Sequence, residues 1–183
     1  MPRTLATAAA LAFMLGAGAL PAQAALDVGD KAPDFTLDAA LGGNAFKFSL
    51  ASALKQGPVV LYFFPKAFTQ GCTLEAHAFA EASPQFATLG ARVVGMSHDN
   101  IATLQRFSSE ACRDQFAVAS DPQARTIQAY DASAAANPAR ADRISYVIAP
   151  SGKIVFVHAG ADPLEHVQQT LAAVQRLQRG AGK

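Results

Sequence analysis

The chain has 183 residues, of which 51% are apolar and 16% charged, and its formal net charge is +1. That length and apolar share fit one packed domain, and a near-neutral chain gives no electrostatic reason to expect nucleic acid or an anionic membrane as partner. It suits a small or uncharged substrate. Arg3 supplies a short basic start, residues 5–20 are apolar and alanine-rich, and Pro21 precedes Ala22-Gln23-Ala24, an A-x-A cleavage pattern. These features predict a secretory signal peptide over residues 1–24, a domain over 25–183, and an exported protein that is periplasmic if the cell has an outer membrane. The apolar run is short for a span, no basic flank follows it, and no cysteine near the cleavage point can carry a lipid. Cleavage removes Arg3 and no acid, so 15 basic residues become 14 against 14 acidic ones. The mature chain is then formally neutral, with no membrane association expected.

Residues 25–33 form an irregular start. Residues 35–37 read as a short strand, Gly42-Gly43-Asn44 as a turn, and 46–50 as the partner strand of a hairpin. Residues 59–64, Val-Val-Leu-Tyr-Phe-Phe, are continuously apolar, as in a central strand covered on both faces. Pro65 ends that strand, residues 66–71 form a loop, and a helix starts at or near Cys72, with Leu74, Ala78 and Ala82 on one face. Pro84 is expected to kink or break it. Residues 92–96 predict a second buried strand, and Asp99 or Asn100 a cap for a helix over 101–110. Residues 116–119 read as a strand. Asp121-Pro122 starts a helix to about Tyr130, and 132–142 is a loop. Strands over 144–148 and 154–158 flank a Pro150-Ser151-Gly152 turn, and Pro163 opens an amphipathic helix to about Leu177. This order predicts an α/β fold with a mixed central sheet. Sites in such sheets gather at the carboxyl ends of strands, which points to the loop between Pro65 and Cys72.

A cysteine where a loop turns into a helix meets unpaired amide hydrogens and a partial positive charge. Both favour the thiolate, the reactive form, and the same amides, Gly71's among them, can hold a peroxide oxygen as charge develops on it. Thr69 can turn its hydroxyl toward the thiolate or a substrate. Pro65 donates no hydrogen bond and can shield the thiolate from water. The bland alternative is a small buried hydrophobe, a common fate of free cysteine.

The run Pro65-x-x-x-Thr69-x-x-Cys72 resembles the active-site signature of the peroxiredoxins, and residues 59–75 resemble the bacterioferritin-comigratory or Q-type subfamily. Ala32-Pro33-Asp34-Phe35 is similar to that family's start. Residues 143–148 with Gly152-Lys153-Ile154 resemble its strand bearing an active-site arginine. The resemblance implies a thioredoxin-like fold with helices on both faces of the sheet. It implies reduction of hydrogen peroxide and organic hydroperoxides, a thioredoxin-like or other thiol reductant, and no cofactor, metal or flavin. Cys72 would attack the peroxide and become a sulfenic acid. Arg143 would hold the thiolate charged and polarise the substrate, and Glu75 either orients Arg143 or favours the helix dipole.

Q-type relatives often carry a resolving cysteine five residues after the first, where this chain has His77. His77 is a proton donor or a helix-surface histidine, and His98, after a strand, is read the same way. Cys112, 40 residues after Cys72, is the remaining candidate to resolve the sulfenic acid. A disulfide needs Cα atoms within about 7 Å, which would require local unwinding of the Cys72 helix. The alternatives are an inert thiol and a static bridge, the default for paired cysteines in an exported protein; a static bridge would silence Cys72. Among competing functions, a disulfide reductase lacks its Cys-x-x-Cys, and a glutathione-peroxidase-like site lacks its tryptophan. A redox sensor would oxidise once and turn over poorly. A copper-binding protein would use Cys72, His77 and His98.

Overall fold

The computed structural model describes residues 25–181; the expected signal peptide lies outside them. In chain order the elements are β1 (Thr36–Leu41), β2 (Asn44–Ser49), α1 (Leu50–Leu54), β3 (Val59–Phe63), α2 (Gln70–Thr88), β4 (Arg92–Ser97) and α3 (Ile101–Glu110). There follow β5 (Ala117–Ser120), α4 (Arg125–Ala129), β6 (Ser133–Ala134), β7 (Asn137–Ala141), β8 (Ile144–Ile148), β9 (Ile154–Ala159) and α5 (Pro163–Ala181).

Seven strands form one mixed sheet in the order β2-β1-β5-β4-β3-β8-β9. Strands β3, β4 and β5 are parallel, while β8 runs antiparallel to β3 and β9 antiparallel to β8. The apolar run of β3 splits by alternation. Val60, Tyr62 and Phe64 join a core with Phe79 and Phe86 of α2, Leu104 and Phe107 of α3, and Val167 and Val174 of α5. Val59, Leu61 and Phe63 join the opposite core with Leu50 of α1 and Ile127 of α4. Helices therefore cover both faces, which is why β3 carries no polar position. Gly95 of β4 makes room for the central ring: a Cβ there would lie 2.7 Å from Tyr62 Cζ.

Local chemistry explains where the elements depart from expectation. The first hairpin is longer than predicted because Gly42 (φ 55°) and Gly43 (φ 76°) form a two-residue left-handed turn that pairs Leu41 with Asn44. Helix α1 is absent from the sequence reading. It is five residues long, too short for a periodic signal, and is capped by Ser49, whose hydroxyl accepts from Ser52 N at 3.3 Å.

Helix α2 runs from Gln70 to Thr88 through Pro84, so the predicted break does not occur. Phe79, Ala82 and Phe86 are buried on either side, so packing spans the missing hydrogen bond. The hydroxyls of Ser83 and Thr88 donate to Phe79 O and Pro84 O, each at 2.9 Å.

Helix α4 starts later than the proline implied. The Asp121 carboxylate accepts from the amides of Arg125, Thr126 and Ile127 at 3.1, 2.7 and 2.9 Å, capping the helix from across an intervening turn. The stretch 132–142 is not a plain loop. It holds the β6–β7 hairpin, whose alanine-rich sequence lacks strand alternation.

Candidate active site

Sheet register assembles the site. Phe63 at the end of β3 pairs with Ile144 at the start of β8, so Arg143 stands at the sheet edge from which the β3–α2 loop departs. Ile144 also pairs with Ala159, bringing the β9–α5 turn to the same edge. The loop is anchored from β4: Ala67 N donates to Asp99 Oδ2 at 2.7 Å, and that oxygen also accepts from the Ser97 hydroxyl at 2.8 Å. Ser120 fixes Asp99 in turn by donating to its carbonyl at 2.7 Å. Asp99 is thus a loop anchor, while Asn100 caps α3 through Thr103 N at 2.9 Å. Phe68 follows with φ 63°, uncommon for an aromatic residue. Its ring meets Phe107 edge-on at 5.2 Å, with the Arg106 guanidinium 5.2 Å above it.

Cys72 lies in the first turn of α2 and is only 2% exposed. Arg143 Nη2 donates to its sulfur at 3.7 Å. Through Nη1, Arg143 also donates to the buried Glu75 Oε2. Gly71 permits this approach, since a Cβ there would come within 3.2 Å of Arg143 Nη2 and 3.9 Å of Pro163 Cγ. Thr69 is the N-cap residue but gives no side-chain cap, so the first amides of α2 are not capped by it. Its hydroxyl donates to Lys66 O at 3.0 Å, toward its own loop. Pro65 is partly buried at the start of that loop.

Glu75 is fully buried, one turn beyond Cys72 and outside the first turn of α2, so its contact is Arg143 and not the helix terminus. Burial pushes its carboxyl up to about 8, against the pull of the Arg143 charge. Its second oxygen, Oε1, and the buried hydroxyl of Tyr62 both lack a hydrogen-bond partner among the described residues. Burial, with Cys112, Glu75 and Cys72 nearby, holds the Tyr62 hydroxyl firmly protonated.

Cys112 shares the buried core of Cys72 and Tyr62 but takes no part in the hydrogen bonds that join Arg143 to Cys72 and Glu75. It is fully buried just after α3, and burial pushes its thiol well above the ordinary cysteine range. Its neighbour Arg113 pairs with Glu81 Oε1 at 3.2 Å. Glu81 lies nine positions beyond Cys72 on α2, about 13 Å along the axis at 1.5 Å per residue. Both cysteines are free thiols. His77 and His98 are partly buried. No group of three His, Cys, Asp or Glu among the described residues is placed to hold a metal ion, so Cys72, His77 and His98 do not form the copper set considered above.

A low-exposure thiol on a helix start, faced by a guanidinium on a thioredoxin-like sheet, defines a cysteine-based redox site. The comparisons with known proteins agree. A profile of the AhpC/TSA family matches residues 28–157. A putative peroxiredoxin of Mycobacterium tuberculosis is 35% identical over 147 residues, covering 78% of this chain and 90% of that protein. The chloroplastic peroxiredoxin Q of Oryza sativa is 31% identical over 150 residues, covering 81% of this chain and 67% of the relative. The crystal structure of peroxidoxin BcpB from Mycobacterium tuberculosis superposes with a TM-score of 0.73 at 29% identity, covering 81% of this chain and 96% of the other. The chain belongs to the AhpC/TSA family and is a peroxiredoxin, a thiol-dependent peroxidase.

Proposed function

We propose that Cys72 is the nucleophile of a peroxidase cycle that takes hydrogen peroxide and organic hydroperoxides. The thiolate sulfur attacks one peroxide oxygen, the O–O bond breaks, and the leaving alkoxide or hydroxide takes a proton to become alcohol or water. Cys72 is left as a sulfenic acid, oxidised by two electrons. Arg143 stabilises the thiolate and the charge that develops on the breaking bond, and Glu75 orients Arg143. The amides of Gly71 and Cys72 add donors at the helix start. Thr69 shapes the loop through Lys66, keeps its oxygen lone pairs for a substrate hydrogen, and with Pro65 limits water at the sulfur. The observation that carries this reading is the contact of 3.7 Å between Arg143 Nη2 and Cys72 Sγ.

In the second half-reaction the Cys112 thiol attacks the Cys72 sulfenic acid, forming a disulfide and releasing water. A thioredoxin-like or other thiol reductant then restores both thiols. The cleavage pattern at residues 22–24 supports work outside the cytoplasm. One set of observations favours a second reading, a one-cysteine cycle or redox sensor: Cys112 is fully buried and its neighbour Arg113 reaches Glu81 instead of the first turn of α2. Intact mass and thiol counts after one equivalent of hydrogen peroxide separate the two. Loss of both thiols with a Cys72–Cys112 peptide link is expected for the two-cysteine cycle. A sulfenic or sulfinic Cys72 beside a free Cys112 supports the one-cysteine cycle. Full peroxidase activity in Cys72→Ser would remove both readings.

A further inference from the structure

We propose that His166 is a positioning residue for Arg143. This inference rests on Arg143 acting on the Cys72 thiolate as described above. His166 projects from α5 and is fully buried. Its Nε2 lies 3.0 Å from Gly160 O, and its Nδ1 lies 2.8 Å from Ser145 Oγ. A carbonyl can only accept, so Nε2 carries the hydrogen, and the Ser145 hydroxyl donates to Nδ1. Both ring nitrogens are thereby used, in the neutral form.

The two partners flank the arginine. Ser145 is two residues along β8 from Arg143 and shares its face of the strand. Gly160 donates its own N–H to Arg143 O at 3.3 Å. One imidazole therefore ties α5 to β8 and to the β9–α5 turn at the place where Arg143 leaves the sheet. That turn continues to Pro163, whose ring carbon packs toward Gly71 beside Arg143 Nη2. The His158 ring meets His166 edge-on at 4.5 Å, backing the arrangement from β9.

Other buried positions of α5, Val167 and Val174, carry apolar side chains. A fully paired imidazole instead fixes direction, since satisfied buried polar networks hold one geometry. The long Arg143–Gly160 bond is the weak link, and His166 holds it closed from the Gly160 side. Loss of the imidazole would leave the Ser145 hydroxyl and Gly160 carbonyl unpaired and let the base of Arg143 move. A guanidinium contact of 3.7 Å is sensitive to such movement.

The test is single-turnover oxidation of the mature protein by hydrogen peroxide, followed across pH, with thermal unfolding in parallel. His166→Phe is expected to slow oxidation at pH 7 by about tenfold and to move the midpoint of the pH–rate profile up by about one unit. His166→Gln, which keeps a donor and an acceptor at similar spacing, is expected to recover the rate to within about threefold. A folded His166→Phe with the parent rate and profile, whatever its melting temperature, would overturn the proposal. If His166→Phe does not fold, Ser145→Ala decides: a rate about threefold lower with an upward-shifted midpoint supports it, and an unchanged profile overturns it. Arg143→Ala is run alongside. If it leaves the rate and profile unchanged, the assigned role of Arg143 fails first. If it slows the reaction while His166→Phe does not, only the His166 inference fails.

Discussion

Arg143 reaches Cys72 with one terminal nitrogen and Glu75 with the other. A planar guanidinium can do both at once; an ammonium on a flexible stem cannot. Arg143→Ala is therefore expected to lower the rate of peroxide reduction by about 100-fold, the loss typical of a preorganised donor. Arg143→Lys should recover little of it, as stopped-flow oxidation would show. Glu75 contributes differently. Its carboxyl titrates at about 8 because burial outweighs the pull of Arg143, so its ionisation above neutral pH neutralises the charge that faces Cys72. Peroxidase rates are expected to fall as pH rises through about 8, and Glu75→Gln should lack that limb in a pH–rate profile. His166 adds a stability effect of opposite sense. Burial lowers its pKa to about 4, below the ordinary histidine value, against the opposing pull of its hydrogen bond to Gly160 O. The stability it contributes is fully present above about pH 6.5 and is lost as pH falls toward 4, because the unfolded chain takes up the proton first. Urea unfolding at pH 7 and 4.5 should differ by on the order of 2–3 kcal/mol from this group, a difference that His166→Phe should not show.

Helix α2 carries both Cys72 and Glu75, and its continuity matters to the site. Pro84 removes one internal hydrogen bond, at a cost of about 3 kcal/mol in a helix interior, yet the helix continues with Phe79 and Phe86 packed in the core on either side. Pro84 is exposed, so Pro84→Ala restores the bond without disturbing the core. It is expected to raise unfolding stability by about 1–3 kcal/mol in urea titration, with peroxidase activity unchanged. Lower stability would mean that the proline makes a contact which alanine cannot replace. The β3–α2 loop depends on Asp99 in the same way that α4 depends on Asp121. In both, a carboxylate past a strand end accepts from loop or helix-start amides, one at Asp99 and three at Asp121.

At the level of the fold, β3, β4 and β8 bring Cys72, Asp99 and Arg143 to one edge of the sheet, while α3 carries Cys112 away from it. A bond between the two sulfurs requires their Cα atoms within about 7 Å, so some element has to move. The first turns of α2 are the natural candidates, because Thr69 leaves them without a side-chain cap. Oxidation by one equivalent of peroxide is expected to raise amide exchange over residues 70–76 and leave β3 and β8 protected. Unchanged exchange in a protein that has lost both thiols would shift the movement to the turn after α3. There Arg113 and Asp114 both take left-handed conformations, with φ 51° and 58°.

Much of this was legible before any coordinates. The unbroken apolar run of β3, the proline that ends it and the cysteine a few residues on are local signals, and they point to Cys72 and to the α/β sheet. Arg143 was legible because a strand start is a local feature that the family resemblance also marks. In the sequence Glu75 is either a partner of the helix dipole or a partner of Arg143; burial and register bring it to Arg143. The contacts of His166 are not legible in the sequence, because a histidine in an amphipathic helix looks like any other until α5 is laid against β8 and the turn at Gly160. The break expected at Pro84 is absent for the same reason, since packing from residues on both sides overrides a local rule. The distance between Cys72 and Cys112 likewise depends on which end of the sheet each helix terminus reaches, and 40 residues of chain spacing carry no information about that. Local chemistry is written along the chain, whereas contacts across the sheet exist only once strand order and register are set.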